Sequence, residues 1–287
     1  MTDQAMALRQ LAAQDRPVEE APRDGPPVFV IGSGKGGVGK SVLSVIFASA
    51  MARRGQRVLL LDGSQNLGNL HVLLGVPLKA HLEQLFRGEI EARDLIHPVA
   101  DNLWLVPAES GAETLYSMAA VDRARLHHRL SALYDEFDAV VVDGGSGIES
   151  VVRLSTMRGT RLVVATIPEP PALTDAYALI KIVHLQLPGF PVDVLVNRVR
   201  DAAEGDQAFD RLATASSRFL ARALGYVGSV PEISQMRDWV RQGGGLIRAG
   251  EAEELRPVIQ QLLTLETRPR GLEPVGRSTG ARYDDGS

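Results

Sequence analysis

The ten residues GSGKGGVGKS, positions 32–41, constrain this chain more than any other stretch. They follow the apolar run VFVI directly and lead straight into SVLSVIFASAMARR. Gly34, Gly36, Gly37 and Gly39 let the backbone turn tightly enough for its N–H groups to surround a phosphate. The N-terminus of the following helix adds the positive end of its dipole. Lys40 is placed to reach β- and γ-phosphates, and the hydroxyl of Ser41 to bind Mg²⁺. A strand–loop–helix unit of this kind belongs to an α/β protein.

The rest of the chain keeps the same alternation. Apolar runs RVLLLDG, LWLVPA, DAVVVDGG, RLVVATIPE, VDVLVNRV and LGYVGSVPE read as strands. Between them, LHVLLGV and LEQLFRG read as short helical or turn segments, and RARLHHRLSALYDEF as a helix. Further helices are expected near residues 173–185, 208–223 and 251–266. Continuous apolar strands between amphipathic helices predict an α/β fold: a doubly wound, mostly parallel sheet with helices on both faces. That domain spans residues 28–266. Ahead of it, residues 1–27 hold a short helix, capped by Thr2, and a flexible linker marked by Pro17, Pro22, Pro26 and Pro27. Residues 267–287 lack periodicity and are expected to be a disordered tail.

Composition removes several functional classes. Hydrophobic residues make up 45% of the 287 and charged residues 23%, ample for one buried core. The net charge of −4 does not suit a general polyanion binder, so DNA is not an expected partner. With no cysteine there is no disulfide, Fe–S cluster or thiol catalysis. No apolar run approaches the roughly 20 residues of a membrane span. No basic segment followed by an apolar one suggests a secretory leader. The six histidines show no metal-ligand spacing, and His127–His128 reads as a solvated helix edge.

Lys35 makes the phosphate loop specific. K-G-G-x-G-K-[ST] resembles the deviant Walker A motif of the family that includes MinD, ParA, Mrp and the nitrogenase iron protein. The resemblance implies that Lys35 crosses a two-fold axis to the nucleotide of a second subunit, where a cation from each side offsets repulsion between facing γ-phosphates. It implies ATP and Mg²⁺ as cofactors and an ATP-dependent homodimer. It places nucleotide contacts at Gly34, Lys35, Gly36, Gly37, Val38, Gly39, Lys40, Ser41 and Val42. Asn197, Pro231 and Glu232 match positions that contact adenine in this family. Asp143, closing VVVD, matches the Walker B carboxylate, with Ser41, Asp62 and Asp143 around the metal and residues 144–149 resembling switch II. Glu169 and Asp175 match carboxylates near the dimer interface, although Asp175 reads equally as an ordinary carboxylate at a helix N-terminus.

Switch I departs from the family pattern. D-x-D-x-G-L-x-N-x-D is replaced by DGSQNLGNLH at 62–71. Asp62 is kept, Ser64 stands at the second aspartate and His71 at the third. A serine hydroxyl cannot act as a base at neutral pH, so the catalytic set Lys35, Lys40, Asp62 and Ser64 predicts slow hydrolysis driven by positioning and charge. Whether Ser64 limits turnover or is neutral stays open, as does the direction of Gln65.

DQAMALR at residues 3–9, with TDAYALIKIV, RFLARALGYVGSVP and LRPVIQQLL, resembles the flagellar MinD-like ATPases of the FlhG family, also called FleN or YlxH. The resemblance implies that Asp3, Gln4, Leu8 and Arg9 form, with Ala5, a tethered helix that docks on an FlhF-like SRP-type GTPase and stimulates it. It implies a regulator of flagellar number and placement, with the flagellar C-ring or a flagellar transcription regulator as further partners. The expected location is cytoplasmic, with membrane attachment at the cell pole in the ATP state suggested by the family alone. LRPVIQQLLTL has no aromatic or basic face, and is expected to pack on the core. Two other readings stand beside this one: a ParA-type DNA or cargo positioning ATPase, and a non-hydrolysing ATP-dependent scaffold. An Mrp-type Fe–S carrier is excluded by the lack of cysteine.

Overall fold

The computed structural model describes residues 25–63, 68–80, 82–107, 133–145, 148, 151, 155, 160–249 and 252–267. The DQAMALR segment with Thr2 and most of the linker, Ser64, Gln65, His127–His128 and the tail beyond 267 lie outside them.

Eight strands make one sheet: β1 (Val28–Gly32), β2 (Val58–Asp62), β3 (His97–Ala100), β4 (Leu103–Val106), β5 (Ala139–Asp143), β6 (Thr160–Thr166), β7 (Val192–Val199) and β8 (Gly225–Pro231). Their order is β3-β4-β2-β5-β1-β6-β7-β8. Every pairing is parallel except β3 with β4. The inner strands are apolar along their whole length because helices cover both faces. Side chains alternate between those faces. Phe29, Ile31, Leu60, Val141 and Val163 join one core cluster with helix α1 (Lys40–Arg53) and the C-terminal helix Arg256–Thr267. Val30, Leu59, Val140, Val142 and Leu162 join the other, with Leu179 and Phe209 of the two helices that follow β6 and β7. Helix α1 is buried around most of its circumference, and Phe47 meets Phe29 edge-on at 5.2 Å.

Two short helices follow β2: α2 (Leu70–Leu74) and α3 (Leu82–Arg87). The later helices start where local chemistry dictates, not where apolar periodicity alone placed them. Helix α4 (Pro170–Gln186) begins three residues early because Pro170 and Pro171 occupy its first positions, where no donor is lost. Helix α5 (Ala202–Leu220) begins six residues early: Asp201 caps it, accepting from Glu204 N at 2.9 Å. Its first turn contains Gly205, where a Cβ would meet the Ser229 side chain of β8 at 2.5 Å. Two short helices after β8 were not anticipated, α6 (Met236–Arg241) and α7 (Gly245–Ala249). The last, α8 (Arg256–Thr267), starts late because Pro257 fits only in a first turn. Val258, Ile259, Leu262 and Leu263 of α8 are buried on the core.

Strand β3 was also not anticipated. It is a four-residue antiparallel edge, where Pro98 costs no inner ladder bond. His97 is fixed there, its Nε2 accepting from Lys79 N at 2.9 Å and its Nδ1 lying 2.8 Å from Leu95 O. Among the described residues no helix is long and apolar enough to cross a membrane.

Candidate nucleotide and metal site

Strand β1 lies between β5 and β6, so the chain's connections diverge to either side of it. A crevice opens at such a point beyond the carboxyl ends of the strands. Asp62 and Asp143 are register partners at the ends of β2 and β5. Gly144 N donates to Ile31 O and Gly63 N to Asp143 O, each at 2.9 Å, which ties the three strand ends together.

The loop 33–39 bridges β1 to α1. Ser33, fully buried, donates through Oγ to Lys35 O at 2.6 Å and fixes the first turn. Gly39 takes the left-handed conformation, φ 93°, as the N-cap of α1. Gly34 and Gly39 are also required by contact. A Cβ on Gly34 would run into the Asp175 carbonyl, and one on Gly39 into the side-chain amide of Asn197. At Gly36 the loop faces open space.

The charges beneath the loop are buried. Lys40 is 7% exposed, Asp62 5% and Asp143 1%. Burial pushes Lys40 below the usual lysine range, and Asp143 pulls it back up. Burial raises the Asp143 carboxyl, the hydrogen bond from the Ser41 side chain lowers it, the Asp62 charge raises it again, and Lys40 and the Gly145 backbone lower it. Asp143 Oδ1 is buried without a hydrogen-bond partner among the described residues. A buried carboxylate oxygen with an open lone pair, beside a serine hydroxyl, fits a hard divalent cation. Mg²⁺ typically takes one or two carboxylates and completes its shell with phosphates and water. Among the described residues no three His, Cys, Asp or Glu side chains form a metal cage without such phosphates.

Asp62 does a second job. Its Oδ2 accepts from Leu70 N at 3.1 Å, so the carboxylate anchors the start of α2 after switch I. His71, in the same helix, has its Nδ1 buried without a partner among the described residues.

Gly39 also borders a cavity of about 150 Å³, lined further by Val42, Leu43, Asn197, Pro231 and Glu232, with Ile233, Met236 and Arg237 from the segment after β8. Asn197 Nδ2 donates to Val38 O at 2.8 Å. One residue on, Arg198 takes φ 55° where β7 bulges against β8. Glu232 N then donates to Val199 O at 3.0 Å, which seats Pro231–Glu232 beside Asn197.

Lys35 lies apart from these buried groups. Its Nζ is 3.8 Å from Glu169 Oε2, with both side chains substantially exposed. A pair this open contributes little and is easily exchanged for another anion.

The structure therefore brings Lys40, Ser41, Asp62 and Asp143 together at the strand ends, and gathers Val42, Asn197, Pro231 and Glu232 around one cavity. Ser64 and the N-terminal Asp3, Gln4, Leu8 and Arg9 lie outside the described residues. Sequence reasoning missed Ser33, the anchoring of α2 by Asp62, and Met236 and Arg237. The last two had one available signal, the short polar–apolar stretch ISQMRDWV directly after the last strand.

Comparison with known proteins agrees with this geometry. An AAA domain family model matches residues 27–187. The antiactivator FleN of Pseudomonas aeruginosa is 35% identical over 215 residues, 75% of this chain and 77% of that protein. The flagellum site-determining protein YlxH of Helicobacter pylori is 30% identical over 244 residues, 84% of this chain and 82% of that protein. Among solved structures, the septum site-determining protein MinD of Pyrococcus horikoshii, complexed with Mg-ADP, superposes with a TM-score of 0.66 at 19% identity, covering 85% of this chain and all of that one.

Proposed function

Because the chain belongs to the FleN/YlxH group of MinD-like ATPases with an AAA domain, we propose that it is an ATP- and Mg²⁺-dependent dimerising switch that sets flagellar number and placement. The observation that carries this reading is the buried cluster of Lys40, Asp62 and Asp143 beneath a glycine loop whose Gly34 and Gly39 admit no side chain. A cation and two carboxylates buried together are costly unless a ligand uses them. ATP·Mg²⁺ would use all three: Lys40 would take phosphate charge, and Asp62 and Asp143 would hold the metal with Ser41. When bound, Mg²⁺ neutralises developing charge on the phosphates. Lys35, whose one ion pair among the described residues is the exposed contact to Glu169, is free to cross to a second copy.

The finer part concerns partners. DQAMALR supplies Gln4 to orient an attacking water and Arg9 to bind phosphate charge or anchor the segment, with Leu8 docking on an FlhF-like GTPase. Hydrolysis by this chain is slow because Ser64 cannot act as a carboxylate does.

Phosphate release from ATP by the full chain tests the first part. Slow turnover that vanishes in Lys40→Ala supports it, and turnover unaffected by Lys40→Ala contradicts it. For the second part, a peptide of residues 1–15 is expected to raise GTP hydrolysis by the FlhF-like protein, with Gln4→Ala removing most of the effect. No stimulation by the intact peptide would contradict it.

A further inference from the structure

The cavity beside Gly39 has a wall that the family motifs do not account for. Val42 of α1 and Met236 of α6 give it an apolar lining, and Glu232 adds an acceptor. Arg237 also lines it, exposed, and no ion pair holds its guanidinium among the described residues. An exposed arginine that lines a cavity with its donors unpaired is available to bind what enters it.

We propose that Arg237 is a nucleotide-binding residue whose planar guanidinium lies against the base–ribose half of the bound purine nucleotide. The phosphate half is accounted for elsewhere: Lys40 is buried under the loop, and Lys35 lies beside Glu169. The cavity is lined by Gly39, Asn197 and Pro231 and by neither of these lysines. A flat guanidinium beside an apolar lining suits a flat aromatic ring, which it attracts by cation–π and stacking contact. A lysine ammonium carries the charge but not the plane.

The helix bearing Arg237 is held in place. Met236 N donates to Ile233 O at 3.1 Å at its start. Beyond its end, Gly244 N donates to Leu73 O of α2 at 3.2 Å. A Cβ on Gly245 would meet Trp239 O at 2.6 Å, so the turn into α7 packs directly on α6. Arg237 is thus presented from a braced element, and binding requires only its side chain to order.

This inference rests on the ATP reading above and makes a separate demand. Calorimetric titration of the full chain with ADP, and with a non-hydrolysable ATP analogue, tests it. Arg237→Ala is expected to weaken both nucleotides by the same factor, about 5- to 10-fold, the range of a partly exposed cation–π contact. Arg237→Lys should stay weakened for both, while the melting temperature of each variant without nucleotide stays at the wild-type value. Unchanged ADP affinity in Arg237→Ala would overturn the proposal. So would a loss confined to the ATP analogue, which would place the residue at the γ-phosphate, or full rescue by lysine, which would reduce it to bare charge. Failure of the wild-type chain to bind either nucleotide would instead overturn the ATP reading, and this inference with it.

Discussion

The side-chain amide of Asn197, at the end of β7, donates to the carbonyl of Val38 in the phosphate loop at 2.8 Å, across 159 residues of sequence. Gly39, the next residue of the loop, has no room for a side chain because that amide occupies the space. The contact joins the cavity lined by Asn197 to the glycine loop. It uses one of the two Nδ2 hydrogens and fixes the orientation of the amide, with Oδ1 as an acceptor.

Asn197→Ala should therefore weaken ATP and ADP together, by about tenfold, since Val38 O loses its partner and the loop loses its brace. The free Oδ1 can accept from the exocyclic amine of adenine but not from the oxygen of guanine. ATP is expected to displace a bound fluorescent nucleotide well ahead of GTP, with Asn197→Ala narrowing the gap. Equal displacement by the two in the wild type would contradict this role.

Asp143 yields a pH prediction. Its carboxyl is raised, first by burial and also by the Asp62 charge. It is therefore charged, and able to hold Mg²⁺, only above that raised value. Mg²⁺-dependent ATP binding should fall on acidification at a pH above the ordinary carboxylate range. Asp62→Asn removes the like charge and should shift that fall to lower pH. Without ligand the sign reverses: the folded state holds the proton more tightly than the unfolded state, so this group's contribution to stability grows as pH drops toward the unfolded value. Asp143→Asn should melt higher than wild type at neutral pH while losing Mg²⁺ dependence.

Ala221 ends α5 in the left-handed conformation, φ 52° and ψ 40°, where a side chain is disfavoured by roughly 1–2 kcal/mol. Ala221→Gly should stabilise the chain by about 0.5–1 kcal/mol after the entropy of glycine is deducted. Denaturant unfolding checks it.

The fold was legible because both periodicities and turn chemistry agreed over most of the chain. AVVVD could only be an inner parallel strand, and glycine, lysine and serine at 32–41 could only follow one. What was missed depended on distant contacts. His97–Ala100 carries a proline and reads as a loop, and becomes a strand only because β4 lies beside it. Helix α5 hid behind AAEG, since Gly205 looks like a breaker until Ser229 is seen to need its space. Candidate site residues carried by motifs can be read in order along the chain. Arg237 cannot be: the stretch ISQMRDWV hints at a short helix, but only the fold brings that helix to the cavity that Asn197 and Pro231 line.

Ser64 offers a test of rate. Ser64→Asp restores a carboxylate that can align and polarise the attacking water. A tenfold rise in single-turnover hydrolysis would correspond to roughly 1.4 kcal/mol of barrier. An unchanged rate would show that another group already positions the water.

The central claim is a switch that dimerises on ATP through Lys35. Sedimentation velocity of the wild-type chain with Mg²⁺ and either ADP or a non-hydrolysable ATP analogue tests it most directly, with Lys35→Ala as the paired sample. The account predicts a wild-type dimer with the ATP analogue only, and a Lys35→Ala chain that binds the analogue yet stays monomeric. A wild-type monomer in both nucleotides, or a Lys35→Ala dimer, would contradict it.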